Sequence, residues 1–410
     1  MKKINGYILS FFFIALFSTS CKKADKAVAE LPTPSTINQP VSTPEPKLLS
    51  VSYQSHSTKE MLISLAQLSG YGAFSTNIKY GINTYIVKYY TSLKGKKIIA
   101  SGLVHIPDTS SAQTCLISLQ HGTTFKKTEA PTANPSTSPS ALLASTGYIA
   151  LEPDFIGYGS SSDIFHPYYD KQSSADAVID FISAIKELLA QDSIPYKKSL
   201  FMAGYSEGGY VTLAAFEEIE KHPIDSLTLK GVAAGAGGYD LKGMLGEIAD
   251  TSYYPYPAYL AFILEAFNKT YQWNKPFSYF YAPSYASKLP NLLDGTHSGS
   301  EINANLSTNL DTLFNPVFYA KLKSGQATNL NNALAKNTIT GWNTKAPLRL
   351  YHGTNDEIVP YSNTVTTYNT FLSAGADNVS FHEIPSGTHG SSFVPMLANF
   401  FLWFNTLKEQ

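Results

Sequence analysis

The sequence predicts an α/β fold: a mostly parallel sheet with helices on both faces and an inserted, largely helical cap. Three observations carry this expectation. Short apolar runs rich in β-branched and aromatic residues recur from Tyr85 to Ile384, helical periods stand between the later runs, and one stretch of about 239–343 breaks the alternation. The later runs are apolar throughout rather than alternating, which suits a sheet buried on both faces.

The N-terminal residues read as an export signal. Lys2 and Lys3 supply the positive start, and the apolar run from Tyr7 to Phe17 has the length of a signal core. It is too short to span a bilayer, which takes roughly 20 apolar residues. Ser18-Thr19-Ser20 then precede Cys21, and this stretch resembles the lipobox of bacterial lipoproteins, with Ser18 standing where an aliphatic residue is commoner. The resemblance implies an exported protein of the bacterial cell envelope, held to a membrane by lipid on Cys21, or secreted if Cys21 is not lipidated. The expected signal is therefore 1–21. Residues 22–47, rich in Lys, Ala, Pro, Thr and Ser and without an apolar period, read as a flexible tether, and a folded region of 48–410 follows.

Within that region, strands are expected at Tyr85 to Tyr90 and Ile98 to Ile106, then at Leu116 to Gln120 and Tyr148 to Glu152. A helix follows over Ala175 to Ala190, where Val178, Ile182, Ile185 and Leu189 make one apolar stripe and Ser173 or Ser174 can serve as N-cap. Leu200 to Ala203 is the next strand and Gly208 to Lys221 the next helix. Leu229 to Ala234, Leu348 to His352 and Val379 to Ile384 complete the strands, and Phe393 to Leu407 closes the chain as a helix. The stretch 239–343 is dense in aromatics in its first half, as in Tyr253-Tyr254-Pro255-Tyr256, Trp273 and Phe277-Ser278-Tyr279-Phe280-Tyr281. A structureless loop of that length is improbable in a compact domain, so a helical cap over the sheet edge is expected.

Composition removes other classes. A formal net charge of -1 offers no concentrated basic surface for a nucleic acid, and no zinc-ligand spacing, P-loop or internal repeat is present. Of two cysteines, Cys21 belongs to the signal, and Cys115 lies in the strand-like Thr114 to Leu119 as an apolar filler, so no disulfide is expected.

The sharpest chemical signal is Gly204-Tyr205-Ser206-Glu207-Gly208, set between a strand and a helix. This G-x-S-x-G pattern needs small residues because the turn is tight, and the turn lifts the serine hydroxyl above the sheet. Ser206 is thus the candidate nucleophile, and the backbone N–H of Glu207 a candidate oxyanion donor. A serine needs a base, and in this architecture the acid and then the histidine follow it along the chain. Asp356, in the loop Gly353 to Pro360 after a strand, is the candidate acid, with Glu357 competing beside it. Its pattern G-x-x-D-x-x-V-P resembles the acid loop of many α/β-hydrolases. His389, in the loop after the last strand, is the candidate base; His382 is expected to pack structurally and His352 to brace the acid loop. The second oxyanion donor is expected from Gln120-His121-Gly122-Thr123-Thr124, with the Thr123 N–H preferred to that of Thr124 and His121 read as structural.

The run Glu152-Pro153-Asp154-Phe155-Ile156-Gly157-Tyr158-Gly159, then His166-Pro167-Tyr168, then Gly204 to Gly209, resembles the secretory lipase group of the α/β-hydrolases over roughly Lys97 to Glu218. The resemblance implies the α/β-hydrolase fold and hydrolysis of small-molecule carboxylic esters through an acyl-enzyme, without a metal or organic cofactor. It also implies a cap inserted before the acid strand, which accounts for the long gap between Ser206 and Asp356. Asp154 and Tyr158 match the motif as loop-bracing residues. Glu207 stands where the group often has Gln, which leaves its N–H role intact and its side-chain contacts open. A peptidase of the same fold and a catalytically silent surface ligand-binding protein are the competing readings.

Overall fold

The computed structural model describes residues 45–135 and 138–409. The expected signal 1–21, Cys21 and residues 22–44 of the expected tether lie outside the described residues.

Among the described residues nine strands form one sheet: β1 (Leu48–Ser57), β2 (Ile82–Leu93), β3 (Lys96–Pro107), β4 (Cys115–Gln120), β5 (Tyr148–Pro153), β6 (Ser199–Tyr205), β7 (Thr228–Gly235), β8 (Leu348–Gly353) and β9 (Val379–Ile384). Their order is β1-β2-β3-β5-β4-β6-β7-β8-β9. The pairs from β1 to β3, and β3 with β5, are antiparallel, and all later pairs are parallel. Leu93 pairs with Lys96, so β2 and β3 turn on Lys94-Gly95 alone. Both residues have positive φ (51° and 75°), the two-residue hairpin geometry that matches strand twist.

The helices lie on both faces because neighbouring residues of the central strands face different cores. Leu116, Leu200 and Met202 join one core with Val178, Ile182 and Leu213, from α3 (Lys171–Gln191) and α4 (Glu207–Lys221). Ile117, Phe201 and Ala203 join the other, with Leu62 of α1 (Lys59–Leu68), Leu143 of α2 (Pro139–Ser145), and Met396 and Phe400 of α15 (Phe393–Lys408). Both sides of each strand are therefore dry, which is why these runs carry no polar alternation.

Between β7 and β8 the chain forms nine helices: α5 (Leu241–Thr251), α6 (Pro257–Thr270), α7 (Phe277–Phe280), α8 (Pro283–Ala286), α9 (Leu289–Leu292), α10 (Gly299–Ala304), α11 (Leu310–Leu313), α12 (Pro316–Lys323) and α13 (Thr328–Asn337). Their apolar side chains merge with the core under α3 and α4. Polar ties fix them to the sheet body. Asn363 of α14 (Tyr361–Ser373) accepts the Tyr239 N–H at 2.8 Å, and Lys171 N–H reaches Asn337 Oδ1 at 2.9 Å.

Some elements differ from the sequence reading. Helix α3 starts at Lys171 and is capped by Asp170, whose carboxylate accepts the Ser173 N–H, rather than by Ser173 or Ser174. The aspartate wins because it also binds Lys94 Nζ and the Tyr271 hydroxyl, each at 2.8 Å. Strand β1 escaped notice because it is an edge strand with little apolar burial. Helix α14 escaped because Thr and Asn dominate it; its buried face uses Asn363, Thr364 and Thr367 beside Phe371.

Candidate active site

Ser206 sits between the end of β6 and the start of α4 with φ 59° and ψ -126°, outside the ordinary regions for a residue with a side chain. The turn is held by the Ser206 N–H, which donates to Gly235 O at 2.8 Å. It also needs bare backbone at Gly204, where a Cβ would come within 2.2 Å of Gly208 O. The hydroxyl is thereby offered at the carboxyl end of the parallel strands, where loops from β4, β8 and β9 converge.

Two of those loops supply the expected partners. His389 Nε2 lies 2.9 Å from Ser206 Oγ, and His389 Nδ1 lies 2.7 Å from Asp356 Oδ2. Asp356, not Glu357, meets the imidazole. Glu357 instead accepts the backbone N–H of His389 at 3.1 Å, while the Tyr205 hydroxyl donates to His389 O at 2.7 Å. The histidine loop is thus pinned from two directions, which sequence reasoning did not foresee.

The Asp356 side chain is fully enclosed. Its Oδ1 accepts the N–H groups of Ile358 and Val359, both at 2.9 Å, and His352 Nε2 approaches Oδ2 at 3.2 Å. Burial alone would raise its carboxyl, but the bonds from His352 and His389 outweigh that and hold it well below the ordinary carboxylate range. It is therefore an anion facing the imidazole. His352 is anchored by Thr364 Oγ1 at 2.6 Å, as expected of a residue bracing this loop. His382, in β9, packs on the ring of Tyr351 in β8 and bonds to Ser380 at 2.9 Å.

The loop after β4 passes close to the serine. A Cβ at Gly122 would lie 3.7 Å from Ser206 Cβ, so the Gly122 backbone runs beside the Ser206 side chain. Glu207 opens α4, where first-turn N–H groups have no acceptor within the helix. Thr123 Oγ1 meets the Tyr168 hydroxyl at 2.9 Å. The Tyr158 hydroxyl donates to Thr124 O. His121 bonds to Asp154 O at 3.1 Å and stacks on Phe155. Asp154 in turn accepts from Ser101 and Thr132, both at 2.6 Å. These contacts make His121, Asp154 and Tyr158 braces of the loop rather than groups aimed at the serine.

Beside Ser206 opens a cavity walled mainly by apolar side chains. Its wall is largely aliphatic: Leu241, Met244 and Leu245 of α5, Leu260 and Ile263 of α6, with the rings of Tyr254 and Tyr259. Only part of the aromatic insertion faces this space. Phe280, Tyr281, Phe314 and Phe318 pack on one another as the interior of the cap. The aliphatic stripe of α5 went unread because Leu241 to Ile248 carries no motif, and only the tertiary arrangement turns it toward Ser206.

The secretory lipase family model matches residues 128–406. No curated sequence matches the chain at a significant level. Among solved structures, it is similar to a putative hydrolase from Legionella pneumophila (26% identity, 89% of this chain and 99% of that one, TM-score 0.82). It is also similar to the rice cell wall degrading esterase LipA from Xanthomonas oryzae (23% identity, 89% and 97%, TM-score 0.77). A third is Candida antarctica lipase A in its closed state (15% identity, 88% and 82%, TM-score 0.65).

Proposed function

The chain belongs to the secretory lipase family and is a carboxylic ester hydrolase of α/β-hydrolase fold, and from that premise we propose that it works through an acyl-enzyme on Ser206. The observation that supports this most is the unbroken hydrogen-bonded line from Ser206 Oγ through His389 to the buried Asp356, at 2.9 and 2.7 Å. In this reading, His389 Nε2 takes the hydroxyl proton as Ser206 Oγ attacks the ester carbonyl. Asp356 steadies the imidazolium, and the N–H groups of Glu207 and Thr123 receive the oxyanion. The tetrahedral adduct collapses, His389 gives its proton to the departing alkoxide, and the acyl group stays on Ser206. A water then attacks, losing its proton to His389, and the carboxylic acid leaves as Ser206 regains its hydrogen.

The cavity argues for an aliphatic acyl group. An alkyl chain gains about 0.8 kcal/mol per buried methylene, and this wall offers few polar partners to anything else. The decisive experiment is turnover of p-nitrophenyl acyl esters together with fluorophosphonate labelling. Ser206→Ala is expected to lose more than about a thousandfold in kcat and all label at unchanged melting temperature. Equal turnover by wild type and Ser206→Ala would refute the assignment.

A further inference from the structure

The segment His166-Pro167-Tyr168 touches both elements assigned to the oxyanion. Glu207, whose N–H follows the nucleophile, has its side chain buried, with Oε1 2.6 Å from His166 Nε2. His166 is also buried, and its Nδ1 lies 2.6 Å from Ile156 O. A carbonyl can only accept, so Nδ1 carries a hydrogen. The short contact between Nε2 and Oε1 then requires a second hydrogen between them, on the imidazole or on the carboxyl. Either way the pair is neutral as a whole and shares one proton. Among the described residues, Glu207 Oε2 is buried without a hydrogen bond, so His166 is the one polar tie of this carboxyl. The imidazole itself is wedged among the rings of Phe155, Tyr158 and Phe262. Two residues on, the Tyr168 hydroxyl meets Thr123 Oγ1 at 2.9 Å.

We propose that His166 and Tyr168 form a strap that positions the oxyanion donors, fixing Glu207 through the imidazole and Thr123 through the phenol. The proposal rests on the Ser206 reading above. His166 lies off the cavity that Ser206 borders, while the Tyr168 ring also lines it, so Tyr168→Phe keeps the wall and removes only the hydroxyl that meets Thr123. Loss of the strap should therefore weaken the transition state while leaving substrate affinity nearly intact.

The test compares Glu207→Leu, Glu207→Gln, Tyr168→Phe and the double variant His166→Phe/Glu207→Leu, in the full chain. Glutamine can donate to the Nε2 lone pair of a neutral His166, so it keeps the hydrogen bond without the shared proton. The double variant removes the buried carboxyl together with its imidazole partner, so that Ile156 O alone loses a donor. Expected is a loss of about tenfold or more in kcat for Glu207→Leu, Tyr168→Phe and the double variant, with KM within about threefold. Affinity for an alkylboronic acid, which forms a tetrahedral adduct on the serine, should fall in parallel. Glu207→Gln should recover most of the loss. Unchanged boronate affinity in the folded double variant, a loss confined to KM, or a glutamine variant as impaired as leucine would overturn the strap. Turnover that survives Ser206→Ala would instead overturn the nucleophile reading itself, so the two failures are distinguishable.

Discussion

Asp356 and Glu152 are both buried carboxyls, yet their surroundings drive them in opposite directions. Asp356 meets two imidazoles and two N–H groups, and its folded-state value is depressed despite burial. Its stabilising contribution is complete above the unfolded value near pH 4 and is lost as pH falls toward the folded one. Asp356→Asn should therefore cost stability at neutral pH, and that cost should shrink as pH drops below about 4. Among the described residues Glu152 meets Ser138 and Ser140, and burial pushes it up to about 7 from 4.5. Here the unfolded chain releases its proton first, so stability is greatest below pH 4.5, falls as pH rises to about 7, and then levels. Glu152→Gln should flatten that fall, which is worth roughly 3 kcal/mol. Urea midpoints of both variants across pH 3–9 check the two signs together; parallel curves for wild type and Glu152→Gln would contradict the second. Sequence could nominate Asp356 from its loop but not say that Glu357 would turn to the His389 backbone. Adjacent residues differ in side-chain direction, and only the folded loop fixes that.

At the scale of the element, the turn at Ser206 and the loop after β4 are one packed unit. A Cβ at Gly208 would fall 2.1 Å from Gln120 O and 2.6 Å from His121 O, both backbone atoms that cannot rotate aside. Gly208→Ala must push α4 and the loop apart. A cost of about 1–3 kcal/mol is expected from overpacking. At least a tenfold loss of kcat should accompany it, because the two groups bracketing the oxyanion separate. Gly246→Ala in α5 is the matched control. No atom lies within 4 Å of its Cβ, so it should gain about 0.4–1 kcal/mol. Equal stability and equal kcat for the two variants would show that close packing at Gly208 is unimportant. The elbow was legible because its constraint is local: strand, glycines and serine are contiguous. Helix α14 was illegible for the converse reason, since Thr and Asn gain their helical state from burial rather than from propensity.

At the scale of the whole molecule, the cap and the sheet body share one hydrophobic core, so the cap is a fixed roof with several ties rather than a separate unit. The Tyr254 hydroxyl donates to Ile358 O at 3.0 Å, Ser362 binds Glu247 at 2.6 Å, and Tyr271 reaches Asp170 on the opposite side. That roof walls the cavity beside Ser206, and filling it should alter chain-length preference before it alters chemistry. Ile263→Trp is expected to lower kcat/KM for long-chain p-nitrophenyl esters at least tenfold, with a far smaller effect on the acetate. An unchanged profile across acyl lengths would place the acyl chain elsewhere.

The sequence by itself determined the sheet's parallel half, the strand–turn–helix around Ser206, the order of Ser206, Asp356 and His389, and the presence of a helical insertion. Each is written in contiguous residues, as an apolar run, a turn chemistry or a loop motif. Tertiary structure alone decided that Lys94 and Tyr271 hold Asp170 at the start of α3, that His166 holds Glu207, and that the aliphatic face of α5, more than the aromatic runs, walls the cavity. Those contacts join residues far apart in the chain, and no periodicity or spacing rule encodes which distant side chain will arrive within hydrogen-bonding distance.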